Sequence, residues 1–254
     1  MCDGTLKYVD KETLVPSPTT WKQFQETFLV PSGATAMTVL HVIKDVGTLT
    51  TDNYSLRKLP SGAFAQGMVS LNFDDGFRSV YEKAIPILNA AGLKSSQWIF
   101  SKSYIDPVNY MTQAQEQELS AQGHEMGTHT QTHPHLSVLN DSALNNEVVG
   151  AKADLDALNL QPNDFFVYPY GDYNDRVIQV VKNAGFIGAR SVKSNFNTRN
   201  SNPFALYDEH VESSTTVEQV KAWIDEAVSK KYWLILEMHQ QLDDPSVDKY
   251  SNSP

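Results

Sequence analysis

Two adjacent carboxylates, Asp74 and Asp75, end an alternating apolar run in "MVSLNFDDGF". Asp-Gly pairs form tight turns, so the stretch has an ordinary structural reading. It also has a chemical one. Four of the seven histidines lie between His124 and His135, and His129 and His133 stand four apart in "GTHTQTHPH". On a helical turn that spacing puts both imidazoles on one side, an arrangement common among metal ligands. Pro134 disfavours a regular helix there, and a loop could bring the rings together equally well. Two imidazoles and one carboxylate suit zinc and leave coordination positions open for water and substrate. Either aspartate can supply that carboxylate, leaving the other to accept a proton. His124 reads as structural and His135 as solvent-facing. The only cysteine is Cys2, so any metal site must be built from His, Asp and Glu.

These residues need elements to hold them. From Ala65 onward, short apolar strands alternate with helical periods. Strands are expected at 68–73, 96–100, 124–127, 164–168, 186–189 and 232–238. Thr112 and Gln115 form a capping box, and Gly123 ends the helix that follows. Leu144, Val148, Ala151, Leu155 and Leu158 make one face of a long helix starting near Asp141. Val177, Val180, Val181 and Ala184 repeat the pattern up to Gly185, and Thr215 with Glu218 caps a last helix. Pro86 predicts a kink or late start in the first helix. Strand–helix alternation implies a parallel sheet, and six or seven units imply an irregular barrel. The functional rim of such a barrel lies at the carboxyl ends of its strands. Asp74–Asp75, the 128–133 segment, "YPYGDY" and His239 each fall at such an end. Tyr104, Tyr170 and Tyr173 are rim aromatics able to stack on a ligand, whereas Trp98, Trp223 and Trp233 read as core.

The first 60 or so residues differ in texture. Residues 35–43 and 45–56 read as a β-hairpin or two edge strands with Gly47 in the turn. The expected organisation is a β-rich extension or partial β-sandwich over 1–62 and a larger domain over 63–254. With 254 residues, 41% hydrophobic and 20% charged, the chain has the composition of a globular protein. A formal net charge of −10 argues against a nucleic-acid or anionic-membrane surface. No apolar run is long enough to span a bilayer, and no signal-peptide pattern opens the sequence.

"NFDDG", "HTQTH", "YPYG" and the final strand ending in His239 together resemble the successive motifs of the polysaccharide deacetylases, the NodB-homology family. The likeness runs from about Gly67 to Gln240, in the family's order. It implies a distorted (β/α) barrel of about seven parallel strands and removal of acetyl groups from an N- or O-acetylated saccharide. It also implies a divalent metal, zinc first among candidates, held by Asp75, His129 and His133. Asp74 takes the position of the catalytic base and His239 that of the acid. Tyr170 takes the place whose backbone N–H helps form the oxyanion hole. An extracellular or cell-envelope setting goes with such a substrate.

There are departures from the pattern. Many family members carry an arginine two residues before the motif proline; here that position is Val167, which leaves the partner of Asp74 unassigned. The Asp-and-Trp motif that supports the catalytic histidine is not evident, although Asp208, Glu209 and Glu212 lie in that stretch. Glu237 replaces an apolar residue two before His239, and strand alternation points both side chains the same way. Glu237 is thus a candidate for keeping His239 protonated, against a solvent-facing alternative. Two other functions stand beside deacetylation. A barrel glycoside hydrolase would need two acids spaced across a glycosidic bond and leaves His129 and His133 unexplained. A carbohydrate-binding relative without turnover would have no need of Asp74 and His239.

Overall fold

The computed structural model describes residues 62–251, apart from 161 and 245–247, within a compact unit, Gly62–Pro254. The hairpin expected over residues 35–56 lies outside the described residues. Seven strands close into an all-parallel barrel in sequence order. They are β1 (Met68–Asp74), β2 (Ser96–Ile99), β3 (Glu125–Thr128), β4 (Phe165–Val167), β5 (Gly188–Ser194), β6 (Leu206–His210) and β7 (Trp233–Met238). Pairing of β1 with β7 closes the ring, with Asn72 opposite Glu237. Among the described residues, no helix is long and apolar enough to cross a membrane.

Strand alternation divides the barrel's two faces. Leu71, Phe73, Leu234 and Leu236 belong to the apolar clusters, whereas Asn72, Asp74 and Glu237 are buried polar residues at alternating positions. The helices cover the outer face. α1 (Ile85–Ala90) continues an unbroken helical run, so Pro86 is interior to it and its missing N–H falls where the run changes from π to α hydrogen bonding. A π-helical turn, Val80–Ala84, leads into it. The long helix expected from Asp141 runs as α3 (Asp141–Asn145), a π turn and α4 (Ala151–Ala157). It buries Leu144, Val148, Ala151 and Leu155. The capping box of α2 (Gln113–Ala121) forms as expected, with the Thr112 side chain accepting from the Gln115 N–H. In α5 (Asp175–Asn183), the Asn174 side chain caps the Val177 N–H.

Two expectations are corrected. The last helix, α6 (Val217–Lys230), is capped by Thr216 and Gln219, one residue beyond the expected pair. "TTVEQ" offers two threonines in succession, and the backbone N–H groups of the first turn select the second. The sequence also gives no apolar signature for β6, because "LYDEH" places Asp208 where alternation would put an apolar residue. Asp208 is wholly buried against Arg190, so an ion pair occupies the place of a hydrophobic contact.

Candidate active site

Asp74 is the last residue of β1, and the chain turns sharply after it, with φ of 71° at Asp75 and 74° at Gly76. The Asp-Gly turn is therefore present, and it separates the two carboxylates. Asp74 stays inside the barrel while Asp75 swings to the rim. In the 128–133 segment His129 and His133 lie on a loop rather than a helix, with positive φ at Thr130 (72°) and His133 (60°). Glu147 holds that loop by accepting the Gln131 and Thr132 N–H groups, both at 2.9 Å, and His133 N–H donates to Thr130 Oγ1.

Asp75, His129 and His133 converge as a possible metal-holding group. The two Nε2 atoms are 3.0 Å apart, and Asp75 Oδ1 lies 3.5 Å from that of His129 and 3.3 Å from that of His133. His129 Nδ1 is 2.8 Å from the Val167 carbonyl, which can only accept. That bond fixes the proton on Nδ1 and turns the Nε2 lone pair toward Asp75 and His133, the orientation a metal ligand needs. Asp75 Oδ1 is buried without a hydrogen-bond partner. Such an orphaned oxygen between two imidazoles suits a divalent cation. Burial and the neighbouring His129 lower His133 to a pKa of about 4, which keeps its ring neutral. Burial alone would raise Asp75, but the imidazoles of His129, His239 and His133 around it outweigh burial and hold the carboxyl below its usual range.

Asp74, 3% exposed, is grasped by Arg190 of β5, whose Nη2 lies 2.5 Å from Oδ1 and also reaches Oδ2. Nη1 of the same guanidinium pairs with Asp208 of β6. Arg190 thus fills the role left open by Val167, whose backbone carbonyl serves His129 instead. Burial pushes the Asp74 pKa up, and the arginine opposes it without cancelling it. Nothing in "GARSV" but one arginine within an apolar strand hints at this, and its target is set only by barrel closure. Of the three acids left open in the sequence, Asp208 joins this network, Glu212 pairs with Lys249 at 3.0 Å, and Glu209 is half-buried.

Glu237 faces inward with His239 and is 1% exposed, so its solvent-facing alternative is overturned. Its Oε1 is 2.7 Å from His239 Nδ1, although not in line with that N–H. Burial opposes charge on His239, but the carboxylate beside it prevails and raises the pKa to about 9. His239 Nε2 points toward the rim, 3.8 Å from Asp75 Oδ2. Tyr170 occupies a short turn, Pro169–Gly171, with φ of 57°. Its ring meets His133 edge-on at 4.5 Å and stacks on His135 at 4.2 Å. Of the other rim aromatics, Tyr104 is exposed, while Tyr173 stacks on buried Tyr168. His124 is 1% exposed and contacts Ser95, as befits a structural residue. Trp98 is buried and donates to Asn72.

The polysaccharide deacetylase family profile matches residues 61–189, about half of the chain, and covers the Asp74–Asp75, His129–His133 and Tyr170 segments. YxkH of Bacillus subtilis (strain 168), a protein assigned to the polysaccharide deacetylases, is 25% identical over 178 residues. That alignment spans 70% of this chain and 63% of YxkH, less than two thirds of the relative. Among solved structures, the Streptococcus pyogenes deacetylase PplD, in complex with acetate, aligns with a TM-score of 0.58 at 21% identity, over 60% of this chain and 68% of PplD. BC0361, a polysaccharide deacetylase from Bacillus cereus, aligns with a TM-score of 0.56 at 21% identity, over 61% of this chain and 50% of that protein. These two likenesses bear on the fold. The family match, its motifs and the seven-strand barrel agree: the chain belongs to the polysaccharide deacetylase family.

Proposed function

We propose that this chain is a metal-dependent hydrolase that removes acetyl groups from a saccharide, preferentially from nitrogen. The observation that carries the reading is one rim holding a metal-competent triad, a buried carboxylate and a cationic histidine. Asp75, His129 and His133 would hold a divalent cation, zinc first among candidates. When bound, such an ion supplies a Lewis acid for the acetyl carbonyl and makes water acidic enough to lose a proton near neutral pH.

The chain's own groups do the remaining work. Asp74, fixed by Arg190 and raised by burial, accepts the proton of the attacking water. The Tyr170 N–H is the donor assigned to the developing oxyanion. His239 delivers the proton on Nε2 to the leaving atom as the C–N or C–O bond breaks, giving acetate and a free amine or alcohol. An imidazole still protonated well above neutral pH suits an amine, which leaves poorly without a proton. An acetylated polysaccharide in the extracellular space or cell envelope fits this chemistry.

The test is acetate release from a panel of N- and O-acetylated saccharides by the wild type and by Asp74→Asn. The variant should lose about 10²–10⁴-fold in kcat while keeping its metal. A fully active variant would remove Asp74 from the base role.

A further inference from the structure

One histidine of the polar barrel interior has no part in the mechanism above. His210 ends β6 with its side chain 23% exposed, and its Nδ1 is 2.7 Å from Glu237 Oε2. Glu237 therefore sits between two imidazoles, Oε2 toward His210 and Oε1 toward His239. The other nitrogen of His210, Nε2, is hydrogen-bonded at 3.0 Å to the Val192 carbonyl of β5. A carbonyl only accepts, so Nε2 carries a proton; Nδ1, facing a carboxylate, carries the other.

The oxygens facing the two ring nitrogens favour a fixed imidazolium. Asp208 Oδ1, on the same strand, is 3.4 Å from Nε2, while Glu237 comes from β7 and the Val192 carbonyl from β5. The guanidinium of this network, Arg190, is turned away from His210, to Asp74 and the other oxygen of Asp208. The Glu237 carboxylate raises the His210 pKa to about 9, against the effect of burial.

We infer that His210 is a positioning residue for the acid half of the reaction: anchored to β5 through Val192, it holds Glu237 so that the other carboxylate oxygen orients His239 toward the leaving atom. Its ring nitrogens face Glu237, Asp208 and the Val192 carbonyl, none of which is a proposed metal ligand. The inference rests on the proposed role of His239, and it predicts a leaving-group signature. An amide needs its nitrogen protonated as it departs, whereas 4-nitrophenolate leaves unaided. A displaced acid therefore harms the first reaction and spares most of the second.

The experiment compares kcat/KM for an N-acetylated chitooligosaccharide and for 4-nitrophenyl acetate in wild type, His210→Ala, His210→Gln and Glu237→Gln. Zinc content and thermal melting are recorded for each. The amide reaction of His210→Ala should fall ten- to a hundredfold, at least tenfold more than its ester reaction, with zinc content unchanged. His210→Gln, which restores a donor to Glu237, should recover part of the loss, and Glu237→Gln should show the same amide-selective defect. Equal losses on both substrates, or none on the amide, would overturn the assignment. Should His210→Ala not fold, the Gln variants carry the same comparison. A wild type inactive on every acetylated substrate would refute the deacetylase reading itself, a result distinct from a failure of the His210 assignment.

Discussion

At the residue scale, one turn parts the neighbouring aspartates. Positive φ at Asp75 and Gly76 sends consecutive carboxylates to different surroundings. Asp74 meets a guanidinium inside the barrel, and Asp75 meets two imidazoles at its rim. The aspartate pair and the histidine spacing were legible in the sequence because each falls at a strand end, in company with "YPYGDY" and His239. Arg190 and His210 were not, because each acts through a partner far along the chain: Asp74 is 116 residues from Arg190. The proposed metal triad makes a prediction at this scale. His129→Ala removes one of three ligands and leaves Asp75 beside His133 alone, so bound zinc and acetate release should be lost together. The check is metal analysis after dialysis beside the activity assay. Stoichiometric zinc in the variant would contradict the ligand set.

At the element scale, what the sequence showed follows from how each element is stabilised. Helices with apolar faces and capping residues, such as α2 and the run from α3 to α4, announce themselves locally. Strand β6 does not, since its inward position is an aspartate neutralised from β5. Close packing also sets limits that spacing cannot express: a Cβ at Gly127 of β3 would collide with the Trp98 ring. Helix α2 carries a testable burden of its own. Glu116 is 3% exposed, and burial raises its pKa from an ordinary 4.5 to about 7. Between these values the folded chain keeps a proton that the unfolded chain has released, so stability falls as pH rises through the window and levels off above it. The loss is on the order of 3 kcal/mol. Glu116→Gln should therefore be more stable than wild type at pH 8, with the gap closing toward pH 5, as read from urea midpoints. An equal difference at both pH values would contradict the burial argument.

At the scale of the whole molecule, barrel closure makes the site. Residues from β1, the loop after β3, the turn after β4 and the end of β7 reach one rim because β7 returns to pair with β1. The order of motifs along the chain was enough to anticipate that gathering, since parallel barrels collect function at their carboxyl ends. The polar interior beneath the rim was less apparent. Asp74, Arg190, Asp208, His210, Glu237 and His239 form a connected set of charges that links the proposed base to the proposed acid. Its members come from β1, β5, β6, β7 and the residue just after β7, and only the closed fold shows that they belong together. The central claim is that this assembly hydrolyses acetyl groups with a metal held by Asp75, His129 and His133. The most direct measurement is acetate release from an N-acetylated saccharide by the protein as purified, after chelation to metal-free protein, and after zinc is restored. The account predicts that release disappears on chelation and returns with zinc. Undiminished release from protein verified to be metal-free would contradict it.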